Sequence, residues 1–162
     1  MLIPPLACQH HNHRHCIEDA IAAAHRICKA KKVRLTPLRE QVLTLIWQSH
    51  KPLGAYALME MLAAHSTRRV APPTVYRALD FLREQGLIHR INSLNAFVGC
   101  SEPDIKHQNY FLICHSCGVA AECNGEGLEQ AVQGVAEVSG FQIKELSVEI
   151  VGICPNCQET EL

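Results

Sequence analysis

Aromatic residues are scarce: four Phe, three Tyr and one Trp stand in a chain of 162 residues. Any core must therefore be built mainly from small aliphatic side chains. No apolar run reaches the roughly 20 residues that a bilayer-spanning helix needs. Residues 1–6 carry no charged n-region and run at once into a His-rich stretch, which is not the pattern of a secretory signal. The expectation is a cytoplasmic protein. Disulfides are rare there, so the nine cysteines read as metal ligands before they read as bridges. No paired carboxylates placed for acid–base work, no phosphate-cradling glycine loop and no nucleophile constellation occur, which speaks against an enzyme. There are no internal repeats.

Acidic residues are also missing from the front half. Residues 1–91 hold 13 Lys and Arg against 6 Asp and Glu, whereas residues 92–162 hold 2 against 10. The net charge of −1 hides this asymmetry. A basic front joined to an acidic back suggests a nucleic-acid-binding domain attached to a second unit. The plainer reading is uneven solvation of two surfaces.

The strongest signal in what is present lies at the back: Cys114-His115-Ser116-Cys117 and Cys154-Pro155-Asn156-Cys157. A C-x-x-C turn lets two thiolates reach one ion, and two such turns close a tetrahedron. Soft thiolates select zinc or an iron–sulfur centre over magnesium, calcium or manganese. Disulfides and redox dithiols are the alternatives. A shared structural zinc on Cys114, Cys117, Cys154 and Cys157 explains both pairs at once. The segment between them is longer than in a compact zinc ribbon, so tertiary structure must bring them together.

Residues 1–16 read as a flexible tail. Cys8, His10, His11, His13, His15 and Cys16 within it would hold zinc or nickel weakly, or serve only as a polar tail. Residues 17–32 predict a helix with Ile17, Ala20, Ile21, Ala24, Ile27 and Cys28 on one stripe. Thr36 is a good N-cap and Pro37 fits the first helical position of a second helix, whose inward face is Leu38, Val42, Leu45 and Ile46. Lys51-Pro52-Leu53-Gly54 ends it. A third helix spans residues 55–65, and a loop carries Arg68 and Arg69. A fourth helix spans residues 72–86, with Val75, Ala78, Leu79 and Leu82 inward and Gly86 as C-cap. Arg77 then points nearly opposite the buried stripe, on the first turns of the helix. In a helix-turn-helix those turns face base edges in the major groove. Residues 87–91 and 95–100 predict two strands around Asn92-Ser93-Leu94. Helix-turn-helix plus hairpin is a winged helix, and Arg90 on the hairpin would lie along phosphates. A small helical bundle that binds no nucleic acid is the bland alternative.

Ser101-Glu102-Pro103-Asp104 opens a polar hinge over residues 101–106. Beyond it, strands are expected at residues 107–113 and 119–123 and a helix at residues 125–139. The inward residues of that helix are Leu128, Ala131, Val132, Val135 and Val138. A long strand is expected over residues 141–153, inward at Phe141, Ile143, Leu146, Val148 and Ile150, with a bulge near Lys144-Glu145. The expected fold class is α+β: an N-terminal winged helix-turn-helix domain over residues 17–100 and a small C-terminal α/β domain over residues 107–162.

Four more ligand-type residues, His89, Cys100, His107 and Glu122, bracket the hinge. A strand hairpin and a knuckle would allow them to meet, although a lone His is more often a satisfied side chain and Glu122 a solvated one.

Leu35-Thr36-Pro37-Leu38-Arg39, Pro73-Thr74-Val75-Tyr76-Arg77-Ala78-Leu79 and the two C-x-x-C pairs resemble the ferric uptake regulator family of bacterial metal-sensing repressors. The resemblance covers about residues 17–157. Within the family the pattern is similar to the branch that regulates zinc uptake, because the hinge set contains a Cys where iron and manganese sensors use His and carboxylates. The resemblance implies a homodimeric, zinc-responsive repressor that binds double-stranded operator DNA. It implies a C-terminal dimerisation domain and two Zn2+ per chain. One zinc is structural on Cys114, Cys117, Cys154 and Cys157, and one is regulatory on His89, Cys100, His107 and Glu122. DNA contacts are implied at Tyr56, Thr74 and Tyr76, beside Arg77 and Arg90. The His-rich run typical of iron sensors before the first knuckle is absent; residues 104–109 read Asp-Ile-Lys-His-Gln-Asn. A thiol-based redox sensor of the same family and a zinc storage or handling protein are the competing functions.

Overall fold

The structure is a computed structural model, and it describes residues 13–49, 51–65, 70–105, 109–123, 125–144 and 146–160. Its elements run α1 (His13–Ala30), α2 (Pro37–Gln48), β1 (Leu53–Gly54), α3 (Ala55–Ala64), α4 (Pro72–Glu84), β2 (Ile88–Ile91) and β3 (Ala96–Gly99). They continue with β4 (Asn109–Cys114), β5 (Ala120–Glu122), α5 (Glu126–Val138), β6 (Ser147–Gly152) and α6 (Pro155–Thr160).

Helix boundaries follow local chemistry. The Thr36 hydroxyl accepts the Arg39 amide, and Pro37 opens α2, so one orphan donor is satisfied where proline needs none. At the end of α4, Gly86 takes a φ of 75°. Its N–H bonds the Arg83 carbonyl and the Leu87 N–H bonds the Leu82 carbonyl, which is a Schellman stop. The turn delivers the chain directly into β2.

The front core joins Ala24, Ile27 and Cys28 of α1 with Val42, Leu43 and Ile46 of α2. Leu58 and Leu62 of α3 and Val75, Leu79 and Leu82 of α4 complete it. The stripe expected for α4 is buried throughout, whereas Ile17, Ala20 and Ile21 of α1 and Leu38 of α2 are only half-buried. The hairpin β2–β3 pairs antiparallel, His89 opposite Val98 and Ile91 opposite Ala96. Leu53 and Gly54 add a third strand against Phe97 and Ala96, where the sequence suggested only a helix end. Two residues are too few to show a period.

The back sheet has the order β5-β4-β6, with β4–β5 antiparallel and β4–β6 parallel. Ile91 and Val98 of the front hairpin pack on Phe111, Ile113 and Ala120 of this sheet in a second core. The wing therefore rests on the back sheet through apolar side chains.

Three expectations need correction. The first helix starts at His13, so the flexible tail does not extend to residue 16. Residues 1–12 lie outside the described residues, as do Arg68, Arg69 and residue 106 of the hinge. The last strand is Ser147–Gly152 only, and Phe141 and Ile143 precede it, so the change of parity needs no bulge. Phe141 is 80% exposed and Val135 and Val138 of α5 are 69% and 90% exposed, so the apolar stripe of α5 is not covered by its own chain.

Candidate metal centre

Among the described residues, two clusters of ligand atoms form where the elements converge. In each, the ligand atoms all lie within 4.8 Å of one another.

The first cluster is Cys114, Cys117, Cys154 and Cys157. Cys114 ends β4 and Cys154 follows β6, and the parallel pairing of those strands sets Cys114 beside Gly152. The two knuckles thus meet at one end of the sheet. Gly118 bonds back to the Cys114 carbonyl with a φ of 74°, a left-handed turn that glycine permits. The Cys117 and Cys154 sulfurs are 3.8 Å apart and unbridged, far beyond the roughly 2.05 Å of a disulfide. A zinc–sulfur distance of about 2.3 Å gives a tetrahedron edge of about 3.8 Å. Backbone amides at Cys117 and Cys154 hold the Cys114 thiol down to about 6, whereas a hydrogen bond with Cys154 and burial push Cys157 up to about 12. Four thiolates cannot share this space without a cation, and a dication of zinc's size fits the donors.

The second cluster is His89, Cys100 and Glu122. His89 is on β2, Cys100 follows β3, and Glu122 ends β5. The His89 Nε2 and Glu122 Oε1 atoms are 3.1 Å apart, and the His89 ring leans on Phe111 with centroids 5.7 Å apart. The Ser101 hydroxyl donates to the other carboxylate oxygen at 3.1 Å, fixing the orientation of Glu122 as outer groups do around metal ligands. Ser101 is missed by the sequence reading, because a serine in a polar hinge carries no pattern. Burial, reinforced by the Glu122 charge, pushes the Cys100 thiol up to about 12. The donor set of imidazole, thiol and carboxylate suits zinc. His107 lies outside the described residues.

Cys100 is placed by its neighbour. A Cβ on Gly99 would overlap the Trp47 indole, so only glycine lets the ring from α2 close over the end of β3, next to Cys100. This couples the helical core to the hinge cluster.

Of the tail residues, Cys8, His10 and His11 lie outside the described residues, and His13, His15 and Cys16 fall within α1. His15 faces Glu18 at 3.7 Å. Among the described residues the tail contributes to neither cluster.

The helical face opposite the core carries the remaining candidates. Thr74, Tyr76 and Arg77 are exposed on the first turns of α4, and Tyr56 is exposed on α3. Arg90 is exposed on β2 and donates to Asn95 across the hairpin turn at 2.8 Å. The Arg39 guanidinium sits 3.6 Å over the Phe81 ring and braces α2 against α4.

The ferric uptake regulator family profile matches residues 30–151. The chain belongs to the ferric uptake regulator family. Among relatives in that family, the zinc uptake regulation protein of Escherichia coli K12 is 38% identical over 145 residues, covering 89% of this chain and 84% of the relative. A solved zinc uptake regulator complexed with zinc and DNA is 37% identical and superposes with a TM-score of 0.84, covering 90% of this chain and 97% of that one. The holo structure of XcZur, 38% identical, gives a TM-score of 0.78 over 87% of this chain and 98% of that one. The apo structure of XcZur gives 0.53 at 36% identity, over 89% of this chain and 99% of that one. At nearly equal identity, the arrangement described above thus superposes better on the holo than on the apo structure of XcZur.

Proposed function

We propose that this protein is a zinc-responsive, homodimeric DNA-binding repressor of zinc-uptake genes, a regulator and not an enzyme. The observation that carries this reading is the hinge cluster. Its ligand atoms come from both sides of the junction: His89 and Cys100 from the wing, Glu122 from the back sheet. A site so placed reports metal by fixing one unit on the other. Similarity to zinc uptake regulators, one of them solved with zinc and DNA, supports the choice of metal and ligand.

Each chain holds two zinc ions in this reading. Cys114, Cys117, Cys154 and Cys157 hold the structural ion. His89, Cys100 and Glu122, with His107, hold the regulatory one. Zinc bound at the hinge supplies a cross-link and neutralises one thiolate and one carboxylate. The chain's own residues do the rest: β2 carries His89 shortly after the Gly86 stop of α4, so holding His89 also holds the recognition helix. Two such helices in a dimer must match two operator half-sites.

The dimer surface is the uncovered apolar set of the back unit. Val135 and Val138 of α5, Phe141, and Leu112 with Ile150 on one face of the sheet are exposed in the single chain, and patches of this kind mark association surfaces. Ile150→Asp is expected to give a monomer in sedimentation that still carries the four-cysteine zinc. An unchanged dimer would move the interface elsewhere.

Tyr56, Thr74, Tyr76, Arg77 and Arg90 form the DNA face. Arg77→Ala should cost about 1–3 kcal/mol of specific binding if Arg77 pairs with a guanine, and should spare binding to random DNA. Equal affinity for the operator at fixed salt would remove α4 as the reader.

The redox alternative needs a reactive thiolate. Burial pushes the Cys100 thiol up, away from the lowered pKa of a sensor thiol. Of the knuckle cysteines, Cys114 is held down to about 6, but it is buried beside the three thiols with which it would share the structural ion. Mobility-shift titration with zinc, beside elemental analysis, tests the function. Operator binding gained with zinc supports the repressor; release by oxidant at constant metal content would favour the redox sensor, and metal uptake with no DNA binding a storage protein.

A further inference from the structure

A second tie joins the back unit to the wing, and it uses no metal ligand. Glu149 lies on β6, opposite Phe111 of β4, whose side chain belongs to the apolar contact with Ile91 and Val98. The Glu149 carboxylate reaches the wing-tip turn between β2 and β3. Its Oε1 accepts the Asn92 N–H at 2.6 Å and its Oε2 accepts the Ser93 N–H at 3.0 Å. Partial burial pushes this carboxyl up, but the hydrogen bonds from Ser93 and Asn92 outweigh it, and the net is below the ordinary range.

Successive backbone N–H groups in a turn form a cradle for an anion, and here a carboxylate from the other unit fills it. Charge-assisted bonds are about twice as strong as neutral ones. Two of the donors are main-chain amides in a tight turn and the Ser93 side chain donates as well, so the contact positions the wing backbone together with a side chain. The Arg26–Asp104 pair ties α1 to the hinge, but both side chains are at least half exposed and it adds little on its own.

We propose that Glu149 is a positioning residue for operator binding: a metal-independent latch that holds the wing tip in the arrangement the hinge ligands also require. This rests on the DNA-binding reading above. Two devices that favour one arrangement are thermodynamically coupled, so weakening one lowers the apparent affinity at the other by the same factor. The latch thereby sets how much zinc is needed before the wings are fixed.

The test uses the full-length dimer with Glu149→Ala and Glu149→Gln; the amide keeps one acceptor for one of the two N–H groups. Zinc affinity of the hinge site is read by competition with a chelator, without DNA, and operator affinity is read at limiting and at saturating zinc. Glu149→Ala should lower hinge zinc affinity roughly fivefold to tenfold, within the usual span of coupling between sites. Operator affinity should fall by a similar factor at limiting zinc and recover with excess zinc, with Glu149→Gln in between. Unchanged hinge zinc affinity in both variants would overturn the latch. So would loss of the four-cysteine zinc or of the dimer in Glu149→Gln, which would mark Glu149 as structural. A wild type that takes up hinge zinc but never binds DNA would instead overturn the repressor reading on which the latch rests.

Discussion

Cys114→Ser and Cys157→Ser are each expected to yield a chain whose back unit is unfolded or monomeric, with the front helices still formed. The asymmetry follows from where the apolar mass lies. The front core has Val42, Leu43, Ile46, Leu58, Leu79 and Leu82 almost fully buried, and it stands without metal. The back unit has a three-stranded sheet, a helix whose apolar stripe is uncovered and a short α6. Structural zinc supplies about 10–16 kcal/mol of apparent binding free energy in small zinc-finger peptides, and whole domains are stable by only about 5–15 kcal/mol. Losing one thiolate of four forfeits enough of that to open the knuckles. Sedimentation, far-UV circular dichroism and zinc content together check it. Variants that remain folded dimers with a full zinc complement would remove the structural assignment.

Cys100→Ser is expected to do the opposite: it should spare fold, dimer and structural zinc, and abolish zinc-dependent operator binding. Cys100 is the one soft donor at the hinge, and its removal leaves His89 and Glu122 with no thiolate between them. Wing and back sheet then keep the apolar contact and the Glu149 latch but lose the metal cross-link. The separations of the two recognition helices broaden, and operator affinity falls with the fraction that matches the half-site spacing. The pH dependence has a definite sign. The Cys100 thiol is pushed up to about 12, so it carries a proton at neutral pH that ligation must release, and hinge zinc affinity should rise with pH. Serine in its place should flatten that rise. Operator affinity against free zinc, with metal content measured on wild type and variant, checks both statements; an unchanged zinc dependence would reduce Cys100 to a buried wing residue.

Much of this site was legible because its signals are local. Thr36-Pro37 and Gly86 mark helix ends through their own backbone chemistry. The exposure of Arg77 follows from the 3.6-residue period, and each C-x-x-C pair is a single turn. The hinge cluster was less legible. His89, Cys100 and Glu122 are brought together by two separate sheets, and only family resemblance joined them in advance. Ser101 and Glu149 carry no pattern: one reads as a loop serine, the other as a solvated acid on a strand. The overlong last strand and the inward stripe of α5 share one physical cause. Apolar periodicity records every surface kept from water, including those that a partner covers, and it cannot say which chain does the covering. Phe141, Val135 and Val138 are exposed in the single chain, and they belong to the surface proposed above for the dimer.

The central claim is that hinge occupancy fixes the distance between the two recognition helices. It is tested most directly by pulsed electron resonance on the dimer, with a nitroxide carried by a non-thiol amino acid in place of Glu84, exposed at the end of α4. The structural zinc is retained, and the hinge zinc is removed or restored by a buffered chelator. A single narrow distance with zinc, broadening when hinge zinc is withdrawn and broad at all zinc levels in Cys100→Ser, is the predicted result. The same narrow distribution with and without hinge zinc would contradict the account.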